Sequence, residues 1–148
     1  MTDRDFLAAL ENCTLPPEMF KHGAHVRAGY LMLREQGFAE ALQRIKSAIQ
    51  RYARCLGKAD LYHETITVAF FAAINERMCA GNAGDSWAEF ADRNPDLLDK
   101  RFLRHYYYPQ VLRSELARKA FVLSGYSKEP RGEAEEPHNT SDLQGVRR

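Results

Sequence analysis

Phe38-Ala39-Glu40-Ala41-Leu42-Gln43-Arg44-Ile45-Lys46-Ser47-Ala48-Ile49-Gln50-Arg51-Tyr52-Ala53-Arg54-Cys55-Leu56 decides the fold class. Its large apolar side chains fall at 38, 42, 45, 49, 52 and 56, alternating steps of four and three that describe a helix with one buried stripe. Gly57 follows as a stop. Arg44, Lys46, Gln50, Arg51 and Arg54 cover the other faces. Such a basic face is either solvated surface or a contact for an acidic partner.

The same period recurs on both sides of this stretch, between clear breaks. Thr2 and Asp5 form a capping box ahead of Phe6, Leu7 and Leu10, giving a first helix to about Asn12. Pro16-Pro17 interrupts the chain. A second helix carries His22 and His25, continues through Tyr30, Leu31 and Leu33, and meets Gly37 as its terminating residue. Beyond Gly57, Asp60 caps a helix with Tyr62-His63-Glu64-Thr65 in its first turn. That helix runs to about Ala80 and is apolar on nearly all sides, which places it at the centre. Ser86 and Glu89 make a second capping box before Trp87 and Phe90. Asn94-Pro95 opens another helix, closed by Tyr106-Tyr107-Tyr108-Pro109, and Ser114 caps a last short one through Ala120. No segment reads as a strand. The expected architecture is all-α, a compact bundle of about six helices.

Residues 1–125 form one domain on this reading, and 126–148 a disordered tail. From 127 onward the only apolar side chains are Ala134, Leu143 and Val146, too few to offset the entropy of ordering the segment.

A chain of 148 residues is large enough for a core without staples. Twenty-one basic and 20 acidic residues leave a net charge of +1, no field to recruit nucleic acid or an anionic membrane. The charged N-terminus does not read as a signal peptide, and no apolar run reaches the roughly 20 residues that span a bilayer. Three cysteines, Cys13, Cys55 and Cys79, are an odd number at wide spacing without a CxxC pair. They read as reduced thiols in a cytoplasmic protein.

The chemistry-bearing residues gather in two short segments, Phe20-Lys21-His22-Gly23-Ala24-His25-Val26-Arg27 and Tyr62-His63-Glu64-Thr65. Histidines three apart share a helical face. If the segments pack together, His22, His25 and His63 converge, with Glu64 beside them. Three imidazoles suit a divalent metal such as zinc or iron, acting as Lewis acid or water activator. The same groups also suit metal-free acid–base or small-molecule binding chemistry, or purely structural roles. Glu64 is either an acceptor that orients His63 or a carboxylate favoured by the helix N-terminus. Arg27 either holds an anionic substrate group or makes a structural ion pair. Tyr62 and the tyrosines at 106–108 either line the pocket or close a helix end. Other signatures are missing: Thr67 breaks HExxH after His63-Glu64, there is no GxSxG, and the glycines at 81 and 84 lack a phosphate-loop pattern.

Leu15-Pro16-Pro17-Glu18, Phe20-x-His22-x-x-His25-Val26-Arg27 and Tyr62-His63-Glu64-Thr65-Ile66-Thr67 together resemble a family of small bacterial helical proteins of undetermined function. The likeness extends over about residues 5–124 and includes Ser114, Ala117-Arg118 and Phe121-Val122-Leu123. It implies a compact helical domain and points to His22, His25, His63 and Glu64, without naming a substrate, cofactor or reaction. The functional expectation is a small-ligand site or metal-dependent enzyme. The competing class is a non-catalytic helical interaction module with structural histidines.

Truncation after Tyr126 is expected to leave helicity and the thermal midpoint nearly unchanged. Circular dichroism melts of both chains check this, and a midpoint several degrees lower in the shorter chain would mean that the tail docks.

Overall fold

The computed structural model describes residues 1–82 and 84–125, so the expectation of a disordered tail falls outside the described residues. These form seven α-helices: α1 Asp3–Glu11, α2 His22–Glu35, α3 Phe38–Cys55, α4 Glu64–Ala80, α5 Trp87–Arg93, α6 Pro109–Leu112 and α7 Glu115–Lys119. Single 3-10 turns occupy Pro17–Met19, Ala59–Leu61, Pro95–Leu98 and Phe102–His105. There is no strand among the described residues, and the all-α class stands.

Local chemistry explains the boundaries. At α1, Asp5 N–H donates to Thr2 Oγ1 (3.1 Å) and Thr2 N–H to Asp5 Oδ2 (3.3 Å), a closed capping box. The same reciprocal pair joins Ser86 and Glu89 before α5. α3 ends as its glycine requires: Gly57 takes φ +68°, Lys58 N–H reaches Ala53 O and Gly57 N–H reaches Arg54 O. That is the double bond of a Schellman cap, which needs a left-handed residue. Gly37 behaves differently. Its φ of −65° and ψ of 164° make it the residue before α3 rather than a left-handed terminator of α2. The helix expected from Pro95 is instead two 3-10 turns. Asp99 Oδ1 accepts Arg101 N–H at 2.8 Å, a local bond that competes with continuing the helix.

α2 and α4 share the centre. α2 packs on α1, α3, α4 and α5, while α4 packs on α2, α3 and α7. Where they cross, Gly29 replaces a side chain. A Cβ there would stand 3.1 Å from Ile74 Cδ1 and 3.5 Å from Phe71 Cδ2.

The long amphipathic helix is rotated slightly from its expected face. Its fully buried residues are Ala41, Ile45, Ala48 and Tyr52; Leu42 and Ile49 flank them half-buried, and Phe38 and Leu56 are exposed. The large residues define a stripe, but the two alanines are buried more completely than Leu42 and Ile49 beside them. The basic face is not idle surface either. Arg44 bridges Glu11 (2.6 Å) and Glu35, Arg51 donates to Glu11 O, and Lys46 pairs with Glu64 at 2.6 Å.

The expectation of three reduced thiols needs correction at two of them. α1 packs on α3, bringing Cys13 and Cys55, 42 residues apart, to a Cα–Cα distance of 6.4 Å, and they form a disulfide. Their spacing in sequence conceals this pairing because only the helix packing creates it. Cys79 is free and exposed.

Closing a loop of that length constrains the unfolded chain, a stabilisation of about 2–4 kcal/mol. Reduction with dithiothreitol should therefore lower the denaturant midpoint of the native chain, and Cys13→Ser should be insensitive to reductant. Equal midpoints with and without reductant would show that the bond contributes nothing in solution.

Candidate functional site

His22 and His25 lie in the first turn of α2, and together they line a cavity of about 230 Å³ between α2, α3 and α4. Val26 and Gly29 extend the same face of α2 at helical spacing. Ile45 and Ile49 come from α3, and Ile66, Thr67, Phe70, Phe71 and Ile74 from α4. The lining residues are therefore apolar apart from two histidines and one threonine. The chain has four isoleucines in all, and every one lines this cavity.

Each imidazole is held by a backbone carbonyl. A carbonyl only accepts, so the bonded ring nitrogen carries the proton. His22 Nε2–H donates to Leu97 O at 2.9 Å, and its ring lies against Phe70 with centroids 4.6 Å apart. His25 Nδ1–H donates to Lys21 O at 2.9 Å, and its ring stacks on Phe20 at 3.9 Å. In the neutral rings this leaves His22 Nδ1 and His25 Nε2 as lone-pair acceptors, with no bonded partner among the described residues. Neither is sealed away, because no fully buried side-chain nitrogen or oxygen there lacks a partner. Thr67 Oγ1–H is likewise committed, donating to His63 O at 2.8 Å.

His63 has a different job. It is the N-cap of α4, not a residue of its first turn, and Asp60 lies in the preceding 3-10 turn. His63 Nδ1 accepts Ile66 N–H at 3.0 Å, while Nε2–H donates to Leu112 O at 2.6 Å. Both nitrogens are thus occupied, and His63 is not part of the cavity wall. The structure brings together two of the three histidines expected to converge. No group of three or more histidine, cysteine, aspartate or glutamate side chains among the described residues is arranged to hold a metal ion.

Glu64, Tyr62, Arg27 and Tyr107 also have intramolecular partners. Glu64 accepts from Lys46 Nζ at 2.6 Å and from Tyr62 Oη–H at 3.1 Å. Burial and then the Glu64 carboxylate push the Tyr62 phenol above the ordinary tyrosine range. Arg27 binds Asp3 and lies 4.5 Å over the Phe6 ring. Tyr107 is buried and donates to Val122 O at 2.8 Å, whereas Tyr106 and His105 are exposed.

Two residues carry more than the sequence reading assigned to them. Thr65 is fully buried; its hydroxyl donates to Ala120 O (2.8 Å) and accepts Val122 N–H (3.1 Å). Thr67 belongs to the cavity wall, with its hydroxyl bonded to His63 O. A clue was present, since threonines in a helix's first turns often hydrogen-bond backbone groups.

A second depression of about 230 Å³ lies next to the first, lined by Pro17, Phe20, Tyr52, Leu61 and Tyr62 among others. His25 and Ile49 belong to both, so the two depressions adjoin at these residues. No family model matches the chain, and no curated protein or solved structure shows significant similarity to it.

Burial holds the His25 imidazole below its ordinary value of 6.5, opposed by the bond to Lys21 O and reinforced by the neighbouring His22. The unfolded chain therefore takes up this proton more readily than the folded one. Stability is complete above pH ~6.5 and declines as the pH falls through that value toward the depressed folded one. Denaturant melts between about pH 7.5 and 5 should show this decline, and His25→Phe, which keeps the stack on Phe20, should flatten it. Parallel curves for the two proteins would mean that His25 titrates as in the unfolded chain.

Proposed function

We propose that this protein binds a small, mainly apolar molecule in the cavity between α2, α3 and α4, with His22, His25 and Thr67 as its polar anchors. The observation that carries this reading is a concave apolar wall bearing a few fixed polar groups, the usual make-up of a small-molecule site. An apolar cavity of about 150 Å³ already accepts benzene, and this one is larger, at about 230 Å³. His25 is rigidly oriented, because its proton is fixed on Lys21 O and its face on Phe20.

Binding is favoured over catalysis by the composition of the wall. No carboxylate, lysine, cysteine or serine is among its described lining residues, and the ring bonds of both histidines go to backbone carbonyls rather than to the carboxylate that usually tunes a catalytic imidazole. A metal ion remains the competing occupant, held by His22 and His25 with further ligands from solvent. His63 would join such a set only by giving up its helix cap. An interaction-module role is less favoured, since Arg44, Lys46 and Arg51 of the basic face have internal partners.

Among the described residues no helix is long and apolar enough to cross a membrane. A cytoplasmic setting was supported by unpaired cysteines, and the Cys13–Cys55 bond removes that support, because disulfides persist chiefly in oxidising compartments.

Isoleucine δ1-methyl labelling tests the reading directly, since all four probes line the cavity. Titration with toluene should move these methyl signals saturably, with smaller effects on leucine methyls elsewhere. Methyl signals that stay fixed up to the solubility of toluene would remove apolar binding. Zinc binding that requires both His22 and His25 would favour the metal reading in its place.

A further inference from the structure

The hydrogen-bond roles of the cavity wall specify more than an apolar occupant. His25 uses its only proton on Lys21 O, His22 uses its own on Leu97 O, and Thr67 uses its hydroxyl proton on His63 O. What each has left is a lone pair. The polar positions of the cavity are therefore acceptors, and none has a donor to spare.

We infer that the site selects a neutral hydrogen-bond donor of about single-ring size, a phenol or an aromatic alcohol, whose hydroxyl donates to the open nitrogen of His25. This rests on the small-molecule reading above and adds the chemical class. A carboxylate finds no donor among these groups unless an imidazole gains a proton, and burial of His25 opposes that. An ammonium finds acceptors but no counter-charge in the wall, and an unpaired charge in apolar surroundings is costly. A pure hydrocarbon fits the walls but leaves the His25 nitrogen without the partner it has in water. A hydroxyl on an aromatic ring satisfies both demands. Phe70 and Phe71 offer ring surface, and His25 offers the acceptor.

The adjoining depression that shares His25 and Ile49 fits the same assignment. A ring seated in the first cavity with its hydroxyl at His25 leaves the adjoining depression, with Phe20 and Leu61, for a substituent.

The test compares three probes of nearly the same shape on the full chain at pH 7.5: p-cresol, toluene and 4-methylbenzoate, each followed through the isoleucine methyls. One net hydrogen bond corresponds to a preference for p-cresol over toluene of about 3- to 10-fold. The carboxylate should bind more weakly than toluene. In His25→Phe the advantage of p-cresol should vanish while toluene still binds. If that variant does not fold, the wild-type comparison decides alone. Equal affinity for p-cresol and toluene, or tighter binding of 4-methylbenzoate, overturns the donor assignment and leaves the apolar cavity standing. Failure of all three probes to bind overturns the small-molecule reading itself, and this inference with it.

Discussion

Three hydrogen bonds from imidazoles to backbone carbonyls hold the site together. Short helical segments leave carbonyls in their last turns without backbone partners, and the chain between 95 and 112 consists largely of such segments. His22 serves the carbonyl of Leu97, at the end of one 3-10 turn, and His63 that of Leu112, at the end of α6. Each bond reaches from the start of a long central helix to a region that cannot satisfy itself. The histidines are pins before they are anything else.

The same bonds fix the hydrogen-bonding character of the rings. A neutral imidazole has one donor and one acceptor nitrogen, so fixing the donor on a carbonyl decides which nitrogen stays available. His63 has neither left, because its second nitrogen caps α4. His22 and His25 each keep one, on rings lining an apolar cavity. Gly29 lets α2 and α4 come close at one edge of that cavity. Thr65 and Tyr107 tie down the chain at 120–122, so the first turn of α4 braces the C-terminal segment through Thr65 while Ile66 and Thr67 beside it line the cavity.

Much of the fold was legible because it is written in local patterns. The boxes at Thr2–Asp5 and Ser86–Glu89 and the stop at Gly57 depend on residues a few positions apart, and all three form as the sequence implies. The site was legible only in part. The spacing of His22 and His25 put them on one face, and they do share a cavity. The role of His63 turned on a carbonyl 49 residues away, and that of Arg44 on Glu11, 33 residues back. The Cys13–Cys55 bond likewise needed the packing of α1 on α3. Chain order conceals such partners, and a pattern of large apolar residues conceals alanines such as Ala41 and Ala48, which are fully buried all the same.

The central claim is that backbone carbonyls fix the histidine tautomers and so leave acceptors in the cavity wall. Long-range nitrogen–proton correlation spectra of ¹⁵N-histidine-labelled protein at neutral pH measure this directly, because the two neutral tautomers and the imidazolium give different nitrogen shifts. The account requires His25 protonated at Nδ1, and His22 and His63 protonated at Nε2. A His25 ring found as the Nε2–H tautomer, or as imidazolium, would contradict it.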